Sequence, residues 1–250
     1  MLILVSNDDG FQARGVHELI KFLLPYGEVV AICPEGPRSG QSMALTFNQA
    51  LYVRQHPHPA TGAKMYSVNG TPVDCVKLST YTILKGRRPD LVVAGINHGS
   101  NAGINVLYSG TMGAVQEACG MGIPAIGFSL CDHAEDADFS ECRPYIDTLV
   151  PAILKNGLPE GIFLNVNIPA GIKPKGMRIT TECRGNWSEE YQKYESPHGA
   201  EFYMLAGHFI NEEPDNELTD EWALRNGYVS VTPELLNRTA PETPEWLKRL

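Results

Sequence analysis

No stretch of the chain approaches the roughly 18 consecutive apolar residues of a membrane-spanning helix, which argues against a membrane-embedded protein. The six cysteines, Cys33, Cys75, Cys119, Cys131, Cys142 and Cys183, form no C-x-x-C pair and have no histidine at zinc spacing. That pattern argues against both disulfides and zinc and leaves reduced structural thiols. Positive charge is scarce: 20 basic against 29 acidic residues give a net charge of -9, whereas a nucleic-acid polymer needs a basic stripe. The usual catalytic loops are missing as well. There is no G-x-S-x-G elbow, no H-E-x-x-H, no G-x-x-x-x-G-K-[ST], and no G-x-G-x-x-G after the first apolar run, which removes serine-hydrolase, NTPase and dinucleotide readings. The opening MLILVSNDDG carries neither a basic lead nor a small-residue cleavage site, so it is expected to be a buried strand, not a signal peptide, in a cytoplasmic protein.

What is present suits one large α/β domain: 250 residues, 43% hydrophobic and 20% charged. Apolar runs at Leu2 to Ser6, Glu28 to Cys33, Asp90 to Ile96, Ile123 to Leu130 and Ile162 to Ile168 are nearly continuous, as in parallel strands covered on both faces. Helix-like segments at Gly15 to Leu24, Pro72 to Leu84, Met112 to Met121 and Arg143 to Leu154 alternate with them, which predicts a Rossmann-like, mostly parallel sheet flanked by helices. After about Pro169 this alternation stops. Strand candidates at Met177 to Glu182, Glu201 to Leu205 and Tyr228 to Thr232 suggest hairpins, giving a single domain with a core of about 1–170 and 226–250 and an extended arm of about 171–225.

Four polar loops follow predicted strands, and a parallel sheet gathers such loops at one edge. Asp8 and Asp9 offer paired carboxylates to a hard cation, although Asp-Asp-Gly also suits a helix cap and turn. The stretch Pro37 to Ser42 offers hydroxyls, a guanidinium and backbone donors for a phosphate, or is simply a polar loop. Ala94 to Gly103 leads a run carrying Asn97, Asn101 and Asn105, whose amides bind metal or phosphate. Tyr108 to Thr111 places Ser and Thr at a helix N-terminus, where an anion is favoured and a plain cap serves equally. Together, two carboxylates and several neutral oxygens make a site for magnesium or manganese, which can polarise a phosphoryl oxygen and activate water for in-line attack.

Over nearly its full length the chain resembles the survival protein SurE family of metal-dependent nucleotidases. The resemblance rests on SNDDG at 6–10, RSGQS at 38–42, GTPVDCV at 70–76, GINHGSNAG at 95–103, YSGTMGA at 108–114, LNVNIP at 164–169 and GYVSVTP at 227–233. It implies hydrolysis of nucleoside 5'-monophosphates, in many members 3'-monophosphates too, with one divalent ion (Mg2+ or Mn2+) per subunit and a homodimer or homotetramer built through the arm. It also implies metal ligands at Asp8, Asp9, Ser39 and Asn97, with Asp8 and Asp9 catalytic. Gly40, Ser42, Asn101, Ser109, Gly110 and Thr111 then border the phosphate. The alternatives are an exopolyphosphatase or broad acid phosphatase, and a nucleotide-binding protein without turnover. Two features depart from the family pattern: the segment Pro34 to Arg38 lacks an Asp-Arg start, and His98 stands where smaller residues are frequent.

Overall fold

A computed structural model describes residues 1–60, 62–240 and 242–249. The first strand, β1 (Leu2–Ser6), is buried along its whole length. Its side chains alternate between two cores: Leu2 and Leu4 enter one, Ile3 and Val5 the other. That is the burial a strand needs when both sheet faces are covered. Helix α1 (Arg14–Leu23) follows and buries Val16, Leu19, Ile20 and Leu23, the three-to-four spacing of one helix face.

Strand β2 (Glu28–Pro34) pairs parallel with β1, and an edge pair follows: β3 (Val53–His56) runs antiparallel to β4 (Ala63–Val68), which is parallel to β2. Helix α2 (Pro72–Tyr81) starts in a reciprocal capping box: Thr71 Oγ1 accepts from Asp74 N at 3.1 Å, and Thr71 N donates to Asp74 Oδ2 at 2.9 Å. It ends three residues before the predicted Leu84. Ser79, Thr80 and Thr82 turn their hydroxyls back onto carbonyls of the preceding turn, a local pattern that competes with helix propagation.

The chain then crosses to the other side of β1, where β5 (Leu91–His98) pairs with it in parallel. Helix α3 (Gly110–Gly120), β6 (Ala125–Leu130), helix α4 (Arg143–Asn156) and β7 (Ile162–Ile168) complete the alternating part. From β4 to β7 the sheet is parallel throughout, in the order β4-β2-β1-β5-β6-β7. The order reverses between β1 and β5, and it is outside the carboxyl ends of strands at such a reversal that open α/β sheets build their sites.

Beyond β7, short β8 (Met177–Ile179) joins the far edge of the main sheet. Two hairpin pairs follow: β9 (Gly185–Ser188) with β12 (His208–Asn211), and, nested between them, β10 (Tyr191–Glu195) with β11 (Glu201–Leu205). Helix α5 (Asp220–Arg225) precedes β13 (Val229–Leu235), which inserts between β7 and β8, antiparallel to the first. The segment 171–225 is therefore mixed: β8 belongs to the nine-stranded sheet and α5 packs on β13, while the hairpins stand apart. Strands β3, β4, β9, β10 and β12 have no counterpart among the predicted ones. Sequences such as VRQH and YQKYE are polar and surface-exposed, so they lack the apolar run that marks a buried strand.

Where β13 meets β7, one sheet face is polar though buried. Ser230, Thr232 and Glu234 lie opposite Asn167, Asn165 and Phe163, and all three are at most 7% exposed. Burial, reinforced by the neighbouring Glu182 carboxyl, pushes Glu234 from 4.5 up to about 9. The folded protein keeps a proton there that the unfolded chain releases near 4.5, so the group costs stability increasingly as pH rises towards 9. Glu234→Gln removes this ionisation. Thermal unfolding between about pH 5 and 9 is expected to show the variant's Tm climbing relative to the parent as pH rises, and a pH-independent difference would contradict it.

Candidate active site

Asp8 follows β1 directly and is 4% exposed. Its Oδ1 accepts a 2.5 Å hydrogen bond from Thr111 Oγ1, and the Thr111 backbone N–H also donates to its carboxylate. The first turn of α3 thus already receives an anion, and that anion is Asp8. Loss of water and then the charge of Asp9 push Asp8 up from 3.8 to about 6, against the lowering pull of the Thr111 bonds. Asp9, also raised chiefly by burial, accepts from the His98 backbone N–H at 3.2 Å and so reaches across to the end of β5.

Asn97 is aimed by an irregularity in β5. Between Ala94 and Asn97 the pairing with β6 shifts register. Gly95 makes the shift possible: its φ is +113°, and a Cβ there would lie 2.2 Å from the Phe128 carbonyl oxygen. Asn97 Nδ2 donates to Gly99 O at 2.8 Å, and no donor among the described residues reaches its Oδ1. An amide oriented in this way presents its oxygen as a ligand. The loop after β2 is fastened to the same edge by Arg38 N donating to Asp8 O at 2.7 Å, which brings Ser39 and Gly40 over the carboxylates.

A cavity of about 510 Å³ opens here, and Asp8, Ser39, Gly40, Asn97, Asn101 and Ser109 all line it. The remaining expected residues sit behind these. Gly110 packs directly on the Asp8 side chain. Thr111 is fully buried with its hydroxyl engaged by Asp8, and Ser42 donates its backbone N–H to Tyr108 O. Ser109 caps α3 by accepting from Met112 N at 3.0 Å.

Asn101 is fixed from below by residues that sequence reading did not single out. Its N–H donates to Asn167 Oδ1 at 2.8 Å, its Nδ2 to Ser129 Oγ at 2.8 Å, and its carbonyl accepts from Asn165 Nδ2 at 2.9 Å. The signal was visible in LNVNIP, where two amides two residues apart share one face of an otherwise apolar buried strand. His133, Trp187, Phe209 and Glu221 also line the cavity. No local pattern marks these four, because they come from loops, hairpin and helix far along the chain.

Among the described residues no group of three or more His, Cys, Asp or Glu is placed to hold a metal. What the edge offers is two adjacent carboxylates, the charge of Asp9 raising the proton affinity of Asp8, with the free Asn97 oxygen and the Ser39 hydroxyl. All four are oxygen donors, the set a hard divalent cation takes, and a cation there would relieve the Asp8–Asp9 repulsion.

The sequence matches the family profile described as Survival protein SurE over residues 3–189. A 5'-nucleotidase SurE from Bacteroides fragilis is 50% identical over 247 residues, covering 99% of this chain and 96% of that protein. One from Phocaeicola vulgatus is 48% identical over 241 residues, covering 96% of this chain and 92% of that protein. Among solved structures, the SurE protein of Aquifex aeolicus aligns with a TM-score of 0.84 at 36% identity, over 100% of this chain and 99% of that one.

The cavity wall depends on Asp220, fully buried in α5. It accepts from Gly103 N at 2.7 Å, Cys183 N at 2.9 Å and Glu221 N at 2.8 Å. Asp220→Ala strands these donors and is expected to lower unfolding stability by about 3 kcal/mol, measured in denaturant. A loss under about 1 kcal/mol would show that water replaces the carboxylate.

Proposed function

The chain belongs to the survival protein SurE family, and on that premise we propose that it is a metal-dependent 5'-nucleotidase, a phosphoric monoester hydrolase acting on nucleoside 5'-monophosphates, with 3'-monophosphates as further substrates. The observation that carries the reading is the junction of Asp8, Asp9, Asn97 and the Ser39 loop at the β1–β5 reversal, beside one cavity.

In this reading Asp8, Asp9, Ser39 and Asn97 hold one divalent ion, Mg2+ or Mn2+. When bound, such an ion supplies positive charge that polarises a phosphoryl oxygen and makes water a better nucleophile. The chain does the rest. The α3 contact keeps Asp8 fixed at the cavity and Asp9 is oriented beside it by the His98 N–H, so both carboxylates are held for the ion without reorganisation. Gly40, Asn101 and Ser109 meet the phosphate from the cavity wall, and Ser42, Gly110 and Thr111 shape the loops behind it. Binding the ester in this fixed cradle, with water held in line, lowers the entropic part of the barrier.

We further place the protein in the cytoplasm as a homodimer or homotetramer. All six cysteines are free and five are buried, which fits a reducing compartment, and no described helix is long and apolar enough to cross a membrane. The β10–β11 hairpin exposes Tyr191, Tyr203 and Leu205 on one face, an apolar surface that a second copy would cover.

Phosphate release from 5'- and 3'-nucleoside monophosphates, polyphosphate and p-nitrophenyl phosphate, with Mg2+, Mn2+ or chelator, tests the activity; metal-dependent release from nucleotides above the generic ester is expected. Asp9→Asn is expected to cut turnover roughly 100-fold or more with Tm nearly retained, and near-normal turnover would remove Asp9 from the site. Light scattering is expected to give two or four times the chain mass, and Tyr203→Ser with Leu205→Ser to shift the protein towards monomer. A parent that is already monomeric refutes the assembly.

A further inference from the structure

Phosphate-ester hydrolysis needs charge and hydrogen bonds, yet part of the cavity is aromatic. Trp187 and Phe209, from paired strands β9 and β12, line the same space as Asp8, Ser39 and Asn97, with Tyr108 beside them. Trp187 is 37% exposed and meets Phe209 edge to face, their ring centroids 6.3 Å apart at 63°. Neither ring is loose. The indole N–H of Trp187 donates to Asn105 Oδ1 at 2.8 Å, which ties it to the phosphate-side loop. Phe209 Cζ lies 2.3 Å from where a Cβ on residue 185 would stand, so glycine there lets the ring seat against the arm, while a Cβ on residue 103 of the loop would meet it at an ordinary contact distance of 3.4 Å.

A large aromatic face kept partly open beside an anion site leaves apolar surface in water, a cost that a ligand with a flat, uncharged ring removes. A nucleoside monophosphate has that polarity: phosphate at one end, a π-face at the other. The structure assigns Trp187, supported by Phe209, as the wall on which the nucleobase stacks, and thereby as the element that separates nucleotides from phosphate esters without a base. The assignment rests on the nucleotidase reading and deepens it. Because every base has a π-face, stacking gives tolerance among bases together with rejection of baseless esters.

The test compares AMP with ribose 5-phosphate, which carries the same sugar and ester but no base. The parent is expected to favour AMP in kcat/KM. Trp187→Ala is expected to reduce that preference roughly tenfold or more, mainly through KM for AMP, and Trp187→Phe to restore most of it. Equal losses on both substrates, or a preference left intact, overturn the aromatic wall while leaving the nucleotidase reading in place. A parent that hydrolyses ribose 5-phosphate or polyphosphate but no nucleotide overturns the nucleotidase reading itself.

Binding gives a second readout independent of turnover. AMP, but not ribose 5-phosphate, is expected to quench tryptophan emission in the parent. Trp187→Phe is expected to lose that quench although Trp222 and Trp246 remain. AMP binding that leaves emission the same in parent and variant overturns the assignment. Thermal unfolding of both variants separates a folding defect from a binding one.

Discussion

Asp8 is held at the end of β1 by the first turn of α3, through a contact that joins residues 103 positions apart in sequence. A carboxylate so buried is costly unless it is hydrogen-bonded, and the helix N-terminus supplies both the bonds and a favourable dipole. The arrangement also fixes geometry. With Asp8 seated on α3, its backbone carbonyl is available to anchor the loop after β2 through Arg38, and Asp9 is turned towards the end of β5. Two strands, one helix and one loop are therefore joined at the sheet edge through two adjacent residues, Asp8 and Asp9.

The parallel sheet was legible because its strands are buried on both faces, and double burial leaves near-continuous apolar runs such as LILVS and the first five residues of β5. The polar loops after them could then be placed at one edge by topology alone. Other features left little trace. The bulge at Gly95 depends on the proximity of Phe128, a tertiary fact. Thr111 is expected to border a phosphate at a helix start, and its hydroxyl meets a carboxylate of the same chain, a partner no local pattern announces. The hairpins were poorly legible for the opposite reason to the core strands: their side chains are mostly exposed, so neither period nor composition marks them.

Support for the loop between β5 and α3 is spread across the sheet. Asn165 and Asn167 of β7 hold Asn101, while Asp220 of α5 ties Gly103 to Cys183 at the base of the arm. Each replaces a water contact with a buried, directional bond, and such networks resist partial disruption because every member left unpaired carries its full desolvation cost. The loop between β5 and α3 is thereby coupled at once to the core and to the root of the hairpins.

The division of labour between β9 with β12 and the parallel sheet has a consequence for how sequences of this architecture diverge. Asp8, Asp9 and Asn97 sit at the ends of β1 and β5, where a shift of one residue would disturb the core. Trp187 and Phe209 sit on strands that pair with each other outside the nine-stranded sheet. Mutational drift in those hairpin strands can therefore reshape what rests against the rings while the hydrolytic edge stays as it is, so substrate range is the trait this scaffold leaves free to wander.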